Sequence, residues 1–203
     1  MSRGPMKHKA VFVDRDGTLN AMVYDDTHGL FDSPRRPEDV VLKTGAGAFL
    51  KALRDRGYYI VIVTNQPGIA RGYLTMDALT NVNNRLRDLL RAAGGAWDAL
   101  YFCPHHPRRM PGRPSPYAKK CRCRKPAPGM LLRAAREHHL DLSGSWMVGD
   151  GLNDIAAGRA AGCRTVLVTR LKVEQVERFF DDPSCKPHNI ARTLKDALRV
   201  IRA

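Results

Sequence analysis

The sequence predicts a doubly wound α/β fold: a Rossmann-like parallel sheet with helices on both faces, no separate cap domain and one zinc-stabilised loop. Three observations carry this expectation. Short runs rich in Val and Ile at residues 10–13, 58–63, 145–148 and 165–168 lack strict alternation, as strands covered on both faces do. Helical patterns fall between these runs, the arrangement that right-handed crossovers produce. Each run closes on a polar or glycine-bearing turn, and the carboxyl ends of such strands are where ligands bind.

The elements follow in order. After the first strand, residues 45–56 place Ala46, Phe49, Leu50 and Leu53 at helical spacing, and Gly57 ends the helix. The strand at 58–63 leads to a helix over 75–93, with Thr75 as N-cap and Leu79, Val82, Leu86, Leu89 and Leu90 on one face. A weaker strand is predicted at 99–102. Residues 103–128 hold seven prolines and no acidic residue, a long loop of the kind that is usually functional or disordered. Helices at 129–139, 153–161 and 190–202 complete the pattern. With no internal repeat and no composition break, residues 1–203 are expected to form one domain, large enough to bury roughly 70% of its unfolded surface.

The formal net charge is +14, and 24 of the 34 basic residues are Arg. Such a field attracts phosphorylated metabolites, nucleic acid or acidic surfaces, but an Arg-rich host proteome would produce it too, so charge does not choose the substrate. No apolar run reaches the ~18 residues a membrane span needs, and the basic N-terminus lacks the apolar core of a signal peptide, so a cytoplasmic protein is expected. Five cysteines cannot all pair within one chain, which also fits a reducing compartment.

Asp14 and Asp16 follow the first strand and point to the same side of an extended backbone. Gly17 permits a tight turn and Thr18 offers a hydroxyl. Two carboxylates this close repel unless a cation joins them, and Mg²⁺ accepts carboxylate and phosphate oxygens together. One carboxylate can then attack phosphorus, while the other exchanges a proton with the leaving oxygen and with water. An isolated Asp-x-Asp is more often a solvated turn. Here the second strand ends in Thr64, Asn65 and Gln66, which can bind phosphoryl oxygens, and the strand at 145–148 ends in Gly149 and Asp150, a further metal ligand. Arg124 and Lys125 can neutralise the transferring group.

Asp14-x-Asp16-Gly17-Thr18, Thr64, Lys125 and Gly149-Asp150-x-x-x-Asp154 together resemble the four motifs of the haloacid dehalogenase superfamily of phosphatases. The resemblance implies Asp14 as nucleophile, Asp16 as general acid/base, and Thr64 and Lys125 as anchors of the phosphoryl group. It implies Mg²⁺ between Asp14, the backbone carbonyl of Asp16, and Asp150, with Asp154 supporting Lys125 or a metal-bound water. About 50 residues separate Asp14 from Thr64, and a crossover helix uses many of them, so no cap domain fits.

Cys103-x-His105-His106, then Cys121-x-Cys123, supply three thiolates and an imidazole, the closed tetrahedral set of a structural Zn²⁺ site. Such a clip stabilises a Pro-rich loop with little core of its own. This loop, running straight into Arg124-Lys125-Pro126, resembles the heptose-bisphosphate phosphatases and the related histidinol-phosphatases. Pro104 and that resemblance favour His105 over His106 as ligand. Thr64-Asn-Gln-Pro-Gly-Ile-Ala-Arg-Gly72 is especially similar to the heptose enzymes, which implies removal of the 7-phosphate of D-glycero-D-manno-heptose 1,7-bisphosphate. Two departures stand out: Gly151 where those enzymes commonly carry Lys, and a longer segment at 22–37, expected to help form the rim.

Residues 99–136 carry ten Lys or Arg and no acid, read as an electropositive funnel for a doubly phosphorylated sugar. A histidinol-phosphate phosphatase and a phosphatase of nucleic-acid 3′-ends are the enzymatic alternatives. A non-enzymatic basic zinc-loop module would require all four motifs to be coincidental. The expected partner is a small phosphorylated sugar, with no membrane or nucleic-acid partner and a monomeric state.

Overall fold

The computed structural model of the protein describes residues 8–26, 29–108, 115–171, 175, 177 and 180–202. The middle of the Pro-rich loop, including Arg109 and Arg113 of the basic funnel, lies outside the described residues, as do the basic N-terminus through Lys7 and two positions of the 22–37 segment.

Six parallel strands form the central sheet in the order β5 (Ala99–Cys103), β4 (Tyr59–Asn65), β1 (His8–Val13), β6 (Leu140–Gly149), β7 (Arg164–Val168) and β8 (Asn189–Ala191). Alternate residues of one strand feed opposite cores. From β1, Val11 and Val13 pack with Phe49, Leu50, Leu86 and Leu90 of helices α1 (Ala46–Asp55) and α3 (Met76–Ala92), and with Leu194 and Ala197 of α6 (Leu194–Val200). Ala10 and Phe12 face the other way, onto Met130, Leu131 and Ala134 of α4 (Gly129–Glu137) and Ala157 of α5 (Leu152–Ala160). Continuous apolar runs are therefore what a sheet with helices on both faces requires. Among the described residues there is no cap domain.

Local chemistry sets several boundaries. Gly57 takes φ +79° and ends α1, while the Thr75 hydroxyl accepts the Ala78 N–H at 3.1 Å as the cap of α3. Helix α5 lies against the sheet at Gly158, where a Cβ would come within 2.6 Å of Met147 Cβ and 2.8 Å of Thr165 Cγ2.

Some elements differ from the sequence expectation. The helix predicted over 190–202 is shorter, because Asn189–Ala191 pairs with β7 as a sixth strand and Thr193 caps α6 only afterwards. Strand β6 begins at Leu140 rather than 145; its polar first half hides the pattern, and the Ser145 hydroxyl takes the Ala10 N–H at 2.8 Å where the β1–β6 register shifts. The 22–37 segment holds a short antiparallel hairpin, β2 (Val23–Asp25) with β3 (Leu30–Asp32), pairing Tyr24 with Phe31. A five-residue helix α2 (Pro67–Arg71) follows β4.

The close approach at Gly158 makes a specific prediction. Gly158→Val is expected to lower stability by about 1–3 kcal/mol through overpacking against Met147 and Thr165, measured by urea unfolding.

Candidate active site

Strands β4, β1 and β6 lie side by side, so their carboxyl ends open into one crevice. The Asp14 N–H continues the ladder to Val148 O at 2.9 Å, which fixes the backbone just beyond β1. A cavity of about 270 Å³ forms there, with Asp14, Thr64, Lys125, Asp150 and Asp154 among its walls, Arg124 on one side, and Met22, Asp32 and Ser33 of the hairpin region on another. The two pieces of the long loops that sequence left as rim thus meet across this opening.

Lys125 is the centre of the arrangement. Its side chain is buried, and Nζ lies 2.6 Å from Asp14 Oδ1 and 2.6 Å from Asp154 Oδ1 while donating to Val63 O at 2.8 Å. The two neighbouring carboxylates raise its affinity for a proton above the ordinary lysine range, outweighing the burial that opposes it. Asn65 presents the residue: its Nδ2 donates to Lys125 O at 3.0 Å, and its Oδ1 accepts the Lys125 N–H at 3.1 Å. Carboxylate oxygens of Asp14, Asp150 and Asp154 lie within 4.8 Å of one another. Burial holds the Asp14 carboxyl well above its usual range, with Asp154 and Asp150 adding to the rise and Lys125 opposing it. Asp150, at the exposed mouth, accepts from the Thr18 hydroxyl at 3.1 Å, and Gly17 at φ +87° leaves room that a Cβ would deny its carboxylate. Asp154 is held by the Gly151 N–H at 3.1 Å.

Asp16 also lines the cavity, but its carboxylate oxygens are taken up by hydrogen-bond donors. Oδ1 accepts from Arg15 Nε at 3.0 Å and Asn20 Nδ2 at 2.9 Å. Oδ2 accepts from Arg15 Nη2 at 2.9 Å, Ser33 Oγ at 2.9 Å and Gln66 Nε2 at 2.7 Å. Burial alone would raise its pKa; the Arg15 guanidinium and these donors more than offset that and hold it below the usual carboxylate value.

The sequence placed Asn65 and Gln66 against substrate. Asn65 does reach the cavity wall, but its amide is spent on Lys125, and Gln66 is 1% exposed with its amide on Asp16 and on Thr64 Oγ1 at 2.9 Å. Both are held by protein partners. Sequence reasoning overlooked Arg15, Asn20, Ser33 and Asn83, all arranged around Asp16. One signal was present: Asn83 is a polar residue within the buried apolar stripe of α3.

Across the rim, Cys103, Cys121 and Cys123 bring their sulfurs within 3.2–3.5 Å of one another without a disulfide. His105 Nδ1 lies 3.3 Å from the Cys123 sulfur and 3.6 Å from that of Cys103. A tetrahedral ion with ~2.3 Å bonds to sulfur needs ligand atoms roughly 3.7 Å apart, close to this set. Burial pushes the Cys103 and Cys123 thiols up, an arrangement that a bound cation would reverse. His106 points elsewhere, its Nε2 lying 3.3 Å from Arg71 Nη2.

A doubly wound sheet with acids at adjacent strand ends and a lysine between them defines the class of haloacid dehalogenase-like hydrolases. A HAD-hydrolase-like family model matches residues 122–197. The chain is 39% identical over 166 residues to the D-glycero-beta-D-manno-heptose-1,7-bisphosphate 7-phosphatase of Haemophilus ducreyi, covering 81% of this chain and 85% of that one. It is also 39% identical to the D-glycero-D-manno-heptose-1,7-bisphosphate 7-phosphatase of Thermosynechococcus vestitus, over 97% and 96% of the two chains. A crystal structure of D,D-heptose 1,7-bisphosphate phosphatase from B. bronchiseptica, complexed with magnesium and phosphate, superposes with a TM-score of 0.75 at 27% identity, over 95% and 97%. The chain belongs to the D-glycero-D-manno-heptose-1,7-bisphosphate 7-phosphatase family.

Removing the central cation tests the electrostatics. Lys125→Met leaves Asp14 and Asp154 buried without their counter-charge and is expected to cost about 3–5 kcal/mol in metal-free protein by urea unfolding, part of it recovered when Mg²⁺ is added.

Proposed function

We propose that this protein is a phosphomonoesterase that removes the 7-phosphate of D-glycero-D-manno-heptose 1,7-bisphosphate through an aspartyl-phosphate on Asp14. The observation that carries the reading is the position of the Asp14 carboxylate: end of a central strand, base of an open cavity, 2.6 Å from Lys125 and beside Asp150. A carboxylate oxygen of Asp14 attacks phosphorus, and the bond to the sugar oxygen breaks as Asp16 supplies a proton to it; Asp16 must therefore be protonated in the substrate complex, although its donors favour the carboxylate in the free site. Asp16 then takes a proton from the water that attacks the aspartyl-phosphate, releasing inorganic phosphate and restoring both carboxyl groups. Thr64 and Lys125 hold the phosphoryl oxygens during both steps, with Lys125 balancing their charge.

The donor set fits a divalent cation. Asp14, Asp150 and Asp154 outnumber Lys125 by two charges, and Arg15 is committed to Asp16. Asp14, the Asp16 backbone carbonyl and Asp150 would hold Mg²⁺, and Asp154 supports Lys125. Bound there, the ion supplies charge neutralisation for the incoming phosphate. Cys103, His105, Cys121 and Cys123 suit Zn²⁺ in a structural role, stabilising the loop that carries Arg124 and Lys125.

Arg124, on the cavity wall, and Arg71, beside His106, form no ion pair among the described residues; burial and Arg71 both disfavour the Arg124 charge. Such a pair suits a second phosphate on the substrate. It disfavours histidinol phosphate, whose ammonium would meet these cations. This favours the bisphosphate over the alternatives. The reading takes residues 1–203 as a single, monomeric catalytic domain in the cytoplasm; the unpaired cysteines fit a reducing compartment, and among the described residues no helix is long and apolar enough to cross a membrane.

Phosphate release should be fastest from the heptose bisphosphate when it is run beside histidinol phosphate and a 3′-phosphorylated oligonucleotide; preference for either of the others overturns the substrate assignment. Asp14→Asn is expected to lower turnover by about 10⁴-fold or more with an unchanged circular-dichroism spectrum. Retained activity would remove Asp14 as nucleophile. Metal analysis should find one zinc per chain, and Cys123→Ser should lose it together with several degrees of melting temperature.

A further inference from the structure

We infer that Asn83 and Arg15 form a positioning relay for Asp16: Asn83, on the buried face of α3, fixes the Arg15 guanidinium, and Arg15 holds the Asp16 carboxylate where it can meet the leaving oxygen. The inference rests on the reading of Asp16 as the proton-exchanging group.

Arg15 is fully buried. Its Nε and Nη2 form a fork on the two oxygens of Asp16, at 3.0 and 2.9 Å, and its remaining Nη1 donates to Asn83 Oδ1 at 2.7 Å. A planar guanidinium held at all three nitrogens cannot rotate without breaking a contact, so the plane of the Asp16 carboxylate is set by a residue 68 positions away in sequence. Nothing else in α3 explains Asn83. The other buried residues of that helix are Leu79, Val82, Leu86 and Leu90, and an amide in such a stripe costs stability unless it is bonded. Leucine would fill the stripe at lower cost if packing were the sole demand. Asp16 already accepts from Asn20, Ser33 and Gln66, so Arg15 is not needed merely to satisfy its oxygens. What the fork adds is orientation. Asp16 and Asp14 begin the same turn, yet Lys125 claims Asp14 and Arg15 claims Asp16, which keeps the proton-exchanging carboxylate out of the acidic group around Asp150 and Asp154.

Steady-state kinetics on the heptose bisphosphate with saturating Mg²⁺ test the relay. Asn83→Leu is expected to lower kcat by about 10²-fold while KM stays within about 3-fold, since a displaced proton donor harms the step and not the binding. Arg15→Lys keeps the charge but loses the fork and should match it. In an Asp16→Asn background, Asn83→Leu should add less than about 2-fold, because its effect passes through the missing carboxylate. Asn83→Asp, which restores an acceptor for Arg15, should recover most of the lost kcat. Full additivity with Asp16→Asn, an unchanged kcat in Arg15→Lys, or a loss that falls on KM alone would overturn the relay. Should Asn83→Leu not fold by its melting curve, Arg15→Lys in both backgrounds carries the same test. An Asp16→Asn variant that by itself keeps full kcat is a separate result: it removes Asp16 from proton exchange rather than the relay from the fold.

Discussion

Four carboxylates from two adjacent strand ends, Asp14, Asp16, Asp150 and Asp154, share one crevice, and the rest of the structure depends on how their charge is divided. For Asp14, Asp150 and Asp154, whose oxygens lie within 4.8 Å of one another, like charges repel by about 3–4 kcal/mol per pair at an effective dielectric constant of ~20. Two buried cations take the charge from opposite sides. Lys125 bridges Asp14 and Asp154, and Arg15 captures Asp16 alone. The division leaves Asp150 facing the open mouth and a negative remainder that suits a divalent ion. It also gives two chemically identical side chains different surroundings: Asp14 beside a lysine, and Asp16 enclosed by hydrogen-bond donors.

Lys125 directly follows a long loop whose two ends are drawn together. Residues 103–123 have few apolar side chains to bury, and the cluster of Cys103, His105, Cys121 and Cys123 joins the two ends of the loop at the end of β5. Asn65 then clamps the Lys125 backbone by two hydrogen bonds. Cysteine cluster, clamp and lysine follow one another from the rim to the cavity. The same loop delivers Arg124 to the cavity wall, so the element that completes the charge balance also presents a cation toward substrate. On the facing side, Ser33 joins the hairpin rim directly to Asp16.

Much of this was legible in the sequence. The strands ending near Val13, Asn65, Gly149 and Val168 stood out because burial on both faces demands uninterrupted Val and Ile, and their carboxyl ends carry the acids, the threonine and the glycines. The Cys-x-His and Cys-x-Cys pairs marked the loop because thiolates at that spacing have few other uses. Less legible were elements whose stability is borrowed. Strand β8 is three residues long and exists through pairing with β7; the β2–β3 hairpin is short and exposes Tyr24, Leu30 and Phe31; the first half of β6 lacks an apolar signature.

The sequence by itself determined the fold class and the acids at the strand ends, since these follow from residue type, period and spacing. Only the tertiary structure decided which partner each polar group takes. Asn65 and Gln66, read as substrate contacts, are bonded to Lys125 and Asp16. Arg15 and Asn83, separated by an entire crossover, meet because α3 packs its buried face against the turn after β1. Hydrogen-bond pairing depends on distance and direction in space, and neither is encoded in the local pattern of a strand or a helix.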